Sequence, residues 1–266
     1  MGKNFKNICR LIDAAKEDVT PEQSFLGDLK RSIEMTNNRA SRPPSKSYKP
    51  SSMTCIRNMY YQVTGTPQDE GYTPYTLVGI CNSGTDIHER IQKYVADMKN
   101  NGIDCEYINV ADFVRERNLD YLDIVEQKGM ETKLFHKSLN ISFLCDGIIR
   151  YKGKYYILEL KTESQYKWQS RQGVDPKHYA QGTAYSLAFK LDEVIFVYIS
   201  RDILEMKSFM FKPTEDMRNA LVSKILECDN FVSENKLPPK PVDVPKSSCE
   251  YCSYRLTCRK EGDGNV

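Results

Sequence analysis

The chain has 266 residues, 40% of them hydrophobic and 28% charged, so it has room for one large domain or a domain with attached subdomains. Thirty-eight basic residues against 36 acidic ones leave a net charge of +2, which neither demands nor excludes a polyanion partner. The longest apolar run of note, VIFVYI at 194–199, is far too short to span a membrane, and the polar start MGKNFKNICR has neither a signal-peptide core nor the myristoylation pattern. The compartment expected on these grounds is the cytoplasm of a bacterium, an archaeon or a phage-infected host.

In chain order, residues 1–37 read as helical, with Phe25, Leu29 and Ile33 on one face. NNRASRPPSKSYKPSS (37–52) reads as a linker or ordered loop. A short helix follows over 53–65, with Ser51 or Ser52 as its cap and Gly65 at its end. The segment 85–101 is amphipathic, with Ile87, Ile91, Tyr94, Val95 and Met98 on one side and Gly102 as its stop. Residues 104–128 mix short strand and helix patterns. Strands are expected over 130–137, 140–151 and 154–162, the last two joined by a tight turn at Gly153. A helix opens at Asp175, its cap, with Pro176 in its first turn. Strands at 193–200 and 204–211, a helix over 214–233 and a proline-rich tether complete the pattern. There is no internal repeat and no GxxxxGK[ST] phosphate loop.

Nine cysteines in a long chain with no export signal argue against a disulfide framework and leave thiols free for metal. Three of them, Cys249, Cys252 and Cys258, fall within ten residues, and a four-ligand site then needs a fourth. Cys9, Cys81, Cys105, Cys145 and Cys228 read as ordinary buried residues.

The central hairpin carries charge where a buried strand should not. Asp146 lies on one strand; Glu159 and Lys161 lie two apart on the next and share a face, while Tyr156, Leu158 and Leu160 take the opposite one. Two carboxylates converging across a hairpin suit Mg²⁺ or Mn²⁺, and a nearby ammonium can orient water or stabilise negative charge. The alternative is a cross-strand salt bridge on an exposed sheet face. Basic residues cluster at Lys46, Lys49 and Arg57 and at Lys161, Lys167, Arg171 and Lys177.

The series Asp146-x(12)-Glu159-Leu160-Lys161, preceded by His88 and followed by Gln181-x-x-x-Tyr185, resembles the PD-(D/E)XK nuclease superfamily in its RecB-like branch. The resemblance implies an α/β fold with a central mixed sheet flanked by helices. It makes Asp146, Glu159 and Lys161 catalytic, and His88, Asp146, Glu159 and the Leu160 carbonyl metal ligands. Gln181, Tyr185, His178 and Arg57 become DNA contacts, with Tyr185 stacking on a base or holding a phosphate. Glu89, Glu131 and Glu163 lie near these motifs without a rank among them. The final Cys-x2-Cys-x5-Cys is similar to the iron–sulfur branch, related to AddB-type domains and small CRISPR-associated adaptation exonucleases. That likeness makes Cys55, in TCIRNMYY, the fourth ligand of a [4Fe–4S] cluster; from spacing alone Zn²⁺ serves as well. The implied organisation is a helical extension at 1–44, a first cluster segment at 45–80, a nuclease core at 81–235 and a closing cluster segment at 236–266. The implied activity is a Mg²⁺- or Mn²⁺-dependent deoxyribonuclease, an exonuclease on single strands or DNA ends, with a helicase or recombination partner. The alternative is a DNA-end trimming or binding factor within a larger recombination or CRISPR-adaptation assembly.

Overall fold

A computed structural model describes residues 20–39, 46–69, 73–242, 244, 246–250 and 252–262. Most of the helix expected within 1–37, the extension 1–44 over much of its length, Cys9 and part of the 37–52 linker lie outside these residues. The chain divides into two compact units, residues 1–42 with 71–82 and residues 43–70 with 83–266. In the first unit, α1 (Pro21–Arg39) places Glu34 Oε1 on the backbone N–H of Tyr75 at 3.0 Å, and Lys30 Nζ lies 5.0 Å from the Tyr75 ring centre.

The second unit holds the chemistry. Its described helices are α2 (Ile56–Val63), the second part of α3 (Tyr75–Asp97), α4 (Val110–Glu116), α5 (Gln165–Gln169), α6 (Tyr179–Phe189), α7 (Glu215–Ser233), α8 (Lys246–Glu250) and α9 (Arg255–Lys260). Five strands form a mixed sheet in the order β1 (Cys105–Ile108), β5 (Gly147–Tyr151), β6 (Lys154–Glu163), β7 (Val194–Ser200) and β8 (Met206–Phe211). β6 and β7 run parallel and the other pairs antiparallel. Three more strands, β2 (Leu122–Lys128), β3 (Glu131–His136) and β4 (Ile141–Cys145), form a separate antiparallel sheet.

The strand expected over 140–151 is therefore two strands belonging to two sheets, and Asp146 is the residue between them. The close packing behind it explains the break. A side-chain carbon at Gly147 would lie 2.6 Å from the Tyr107 ring, so only glycine lets the chain turn from one sheet to the other here. The Asp146 carbonyl accepts from Gln92 Nε2 at 2.7 Å and from the Tyr107 hydroxyl at 2.8 Å, which satisfies a buried group that neither ladder serves. By contrast, the β5–β6 turn follows the sequence: Lys152 and Gly153 have φ of +49° and +78°, the two left-handed residues of a tight hairpin.

Two helix boundaries differ from the sequence reading. The helix expected at 85–101 runs over Tyr75–Asp97, so His88 sits in its middle instead of near its start; TLVGICNS at 76–83 lacks the stop signals that would have delayed it. The cap of α2 is Cys55, because Pro50–Ser52 form a 3₁₀ turn of their own. Tyr94 is exposed instead of joining the buried face of α3, and Cys81 is exposed where a buried thiol is expected.

Both faces of the five-stranded sheet are covered. Ile87 and Ile91 of α3 pack on Ile149, Leu158, Leu160 and Ile199. On the other face Tyr185, Ala188 and Phe189 of α6 join Ile148, Ile157, Phe196 and Leu221 in the larger core. Each fully buried aliphatic side chain contributes about 1.5–3 kcal/mol. Helix α6 is buried almost all round, which is why its polar residues must find partners inside.

Candidate active site and thiol cluster

The site lies where β5 ends. β5 pairs with β6 only as far as Gly147 opposite Leu158, while β6 continues beside β7 to Glu163. The β5-side edge of residues 159–163 is thus open, and side chains from both faces meet in the gap. Asp146 fills its start: Oδ2 accepts the Leu160 N–H at 2.7 Å, in place of the missing strand. The N–H and C=O of one strand residue point to the same edge, so the Leu160 carbonyl is aimed into the same gap.

From α3, His88 Nδ1 lies 3.4 Å from Asp146 Oδ1. Among the described residues, His88, Glu131 and Asp146 form a group of three whose ligand atoms lie within 4.8 Å of one another. Glu131 is the first residue of β3, so the second sheet also contributes to the site. Burial opposes the charged form of His88, but the hydrogen bond and charge of Asp146, with Glu159, outweigh it and hold the imidazole above its usual range.

On the α6 side, Glu159 is 3% exposed. Its Oε1 accepts from Lys161 Nζ at 2.5 Å and from Gln181 Nε2 at 2.6 Å, while its Oε2 is buried with no partner among the described residues. Burial pushes this carboxyl well above the usual range; Lys161 draws it down and Asp146 adds to the rise. An orphaned buried carboxylate oxygen beside an imidazole and two further carboxylates is a donor set suited to a hard divalent cation. His88, Glu131 and Asp146 are the groups placed together to hold one; Glu159 stands outside that trio, with the Leu160 carbonyl aimed into the same gap.

The two motif residues on α6 are not surface residues. Gln181 Nε2 also donates to the Tyr185 hydroxyl at 2.9 Å, and that hydroxyl donates to Leu144 O at 2.7 Å. Tyr185 is 3% exposed and packs 5.2 Å from Phe143, ring centre to ring centre, so no base can stack on it. Gln181 and Tyr185 form a buried brace that fixes Glu159 against β4. His178 is likewise turned inward: it stacks on Phe196 and shares a 2.8 Å hydrogen bond with the Tyr198 hydroxyl. Arg57 is 1% exposed; Nε and Nη1 donate to Pro238 O, Gly262 O and the carbonyl and thiol of Cys258, and Nη2 is buried without a partner among the described residues, so burial keeps the guanidinium from a DNA phosphate. Sequence spacing placed these four residues near the site or the thiols but could not tell a brace from a contact surface.

The four thiols come together at the start of α2. Burial pushes up the thiols of Cys55 and Cys252, and the charges of the neighbouring cysteines add to it: Cys258 and Cys249 act on Cys55, and Cys55, Cys258 and Cys249 on Cys252. Backbone N–H groups of Asn58 and Arg57 favour the ionised Cys55. Cys252 Sγ accepts from Tyr254 N at 3.4 Å and from Asn58 Nδ2 at 3.6 Å. Donors aimed at the sulfurs of neighbouring thiols stabilise them once they are deprotonated. Asp69 locks the segment: its Oδ1 accepts from Thr257 N at 3.0 Å and Thr257 Oγ1 at 2.6 Å, and its own N–H donates to Ser253 O at 2.8 Å. Cys145 and Cys228 are fully buried elsewhere.

Gln92, Tyr107 and Glu131 were the residues that sequence reading left unassigned or unranked. Only Glu131 carried a signal, a carboxylate at a strand start next to the hairpin; the other two act through the Asp146 carbonyl, a contact between segments far apart in the chain.

No protein-family model matches the chain, and no curated protein matches it. Among solved structures it is similar to SSO0001, with a TM-score of 0.45 and 13% identity over 91% of this chain and 98% of that one. It is also similar to an alkaline exonuclease, LHK-Exo, from Laribacter hongkongensis, with a TM-score of 0.42 and 9% identity over 72% of this chain and 90% of that one. The same enzyme in complex with dAMP gives a TM-score of 0.37 at 9% identity, covering 71% of this chain and 89% of that one. What the site can do follows from its own chemistry.

Proposed function

We propose that this chain is a metal-dependent nuclease of the PD-(D/E)XK type that hydrolyses phosphodiester bonds of DNA, acting on single strands or ends. The observation that carries the reading is the meeting of His88, Glu131 and Asp146, with the Glu159–Lys161 pair on the neighbouring strand and Glu159 Oε2 buried and unpartnered. Carboxylates so placed repel one another and lose hydration unless a cation joins them. A bound Mg²⁺ or Mn²⁺ supplies Lewis acidity toward a phosphoryl oxygen and toward water.

The chain's own groups do the rest. Glu159 Oε1 accepts one hydrogen bond from Lys161 Nζ and so fixes the ammonium at the mouth of the gap, where its other N–H groups face the phosphate and the incoming water. Water oxygen forms a bond to phosphorus and gives up one proton to solvent, the bond from phosphorus to the leaving 3′ oxygen breaks, and a solvent proton completes that hydroxyl. Gln181 and Tyr185 keep Glu159 from turning away, and Gln92 with Tyr107 keep Asp146 in place. In this reading Cys55, Cys249, Cys252 and Cys258 hold a [4Fe–4S] cluster, or Zn²⁺, which clasps the tail to α2.

The test is incubation of labelled single- and double-stranded DNA with the purified protein and Mn²⁺ or Mg²⁺. Shortening that stops with EDTA and with Lys161→Ala supports the reading; an inert wild type, or a fully active Lys161→Ala, sinks it. Iron, sulfide and zinc analysis of anaerobically purified protein decides what the thiols hold.

A further inference from the structure

Beyond the gap, β6 carries its charged face one step further. Glu159, Lys161 and Glu163 alternate on one side, so Glu163 lies about 7 Å along the strand from Lys161. Glu163 receives Arg171 in a two-pronged pair, Nε to Oε1 at 2.6 Å and Nη2 to Oε2 at 2.8 Å, with both side chains 7% exposed. Those two charges cancel. What remains is one carboxylate, Asp175, facing two ammonium groups, Lys167 at 3.0 Å and Lys177 at 3.8 Å, each 43% exposed. Asp175 is fully engaged, since Oδ2 also accepts from Arg171 and Oδ1 from the Lys177 N–H. The cluster therefore keeps one positive charge in excess, on two lysines held close enough to repel.

Lys167 and Asp175, with Ser170, Arg171 and Gln172 among others, line a cavity of about 330 Å³, and Lys177 pairs with Asp175 at its edge. Tyr166 lies one helical turn before Ser170, on the same side of α5, and is 86% exposed. An aromatic ring that far out of the protein next to paired ammonium groups is what an extended nucleic-acid strand needs: a face for a base and a charge for its phosphate. The cavity connects to the gap through ordered groups. Tyr198 is the β7 partner of Lys161, and its hydroxyl accepts from the Asp175 N–H at 3.0 Å while sharing a hydrogen bond with His178.

We infer that residues 166–177 form a second strand-holding subsite for single-stranded DNA, in which Lys167 and Lys177 take a phosphate neighbouring the one under attack and Tyr166 stacks on its base. The inference rests on the nuclease reading for its direction, since it places the subsite beside the catalytic gap. Its residues lie outside that gap, and a strand held here positions the scissile bond without touching it.

The test is fluorescence anisotropy with a short labelled single-stranded oligonucleotide in EDTA, where no cleavage occurs. Wild type is compared with Lys167→Gln/Lys177→Gln and with Tyr166→Ser, each checked for an unchanged thermal midpoint. Loss of the one phosphate contact that the two lysines share lowers the slope of log affinity against log salt by about 0.7. Loss of the stacking face weakens binding roughly tenfold. Both changes together support the subsite. Variants that bind like wild type at every salt concentration overturn it, as does a wild type that does not bind the oligonucleotide. Cleavage by wild type in Mn²⁺, run alongside, separates the two ideas. A wild type that cuts while the variants bind normally sinks the subsite alone, and one that binds through these residues but never cuts sinks the nuclease reading alone.

Discussion

Asp146 completes an edge that belongs to Leu160: its Oδ2 accepts the Leu160 N–H where the neighbouring strand has left. A carboxylate that substitutes for a strand partner is fixed in position by the sheet itself, leaving Oδ1 free to face His88. The two oxygens thus divide between holding the fold and holding the site.

That division predicts the behaviour of Asp146→Asn. The amide keeps an oxygen for Leu160, so the thermal midpoint stays close to wild type, while the lost charge removes a metal ligand. Cleavage rates measured with Mn²⁺ should fall by roughly a hundredfold or more. A variant retaining wild-type rates would remove Asp146 from the site.

Glu131 comes from the other sheet and is the ligand that the sequence left unranked. Glu131→Gln should raise the Mn²⁺ concentration needed for half-maximal cleavage by roughly 10- to 100-fold, the range for weakened ligand sets. Metal titration of the activity reads this directly. Unchanged metal demand would confine the cation to His88, Asp146 and Glu159.

The Glu163–Arg171 pair is buried on both sides, so removing one partner strands the other. Glu163→Ala should cost about 3–5 kcal/mol of stability. Urea unfolding is the measurement, and a loss below 1 kcal/mol, the ceiling for surface pairs, would show that the guanidinium finds water instead.

His178 is held neutral. Burial, with the positive charges of Lys161 and Lys177, lowers its pKa to about 2. The unfolded chain binds a proton near pH 6.5 that the folded chain refuses until about pH 2, so stability from this group is complete above pH 6.5 and falls as the pH drops below it. Thermal midpoints of wild type and His178→Gln between pH 7 and pH 4 should differ in slope, the wild type losing more. Parallel slopes would mean that the imidazole titrates normally.

The sequence made the strand bearing Glu159 and Lys161, its turn at Gly153 and the helix over 214–233 legible, because each rests on local alternation or turn and cap chemistry. The break at Asp146 was not legible. It depends on Tyr107 lying against Gly147 and on Gln92 reaching the Asp146 carbonyl, and no local pattern encodes either contact. The inward roles of Tyr185 and His178 were hidden for the same reason: a four-residue helical spacing states which side chains share a face, never what that face meets.

The buried guanidinium of Arg57 sets an order of events during synthesis. Its acceptors on Pro238, Cys258 and Gly262 are made 181 to 205 residues later. Until then the charge has no carbonyls to meet and stays in water, so α2 cannot settle while the ribosome is still building the sheet. The sheet strands come first and the segments that meet Arg57 last, and a nascent chain stalled before residue 238 would carry His88, Asp146, Glu159 and Lys161 without the carbonyls that receive the guanidinium.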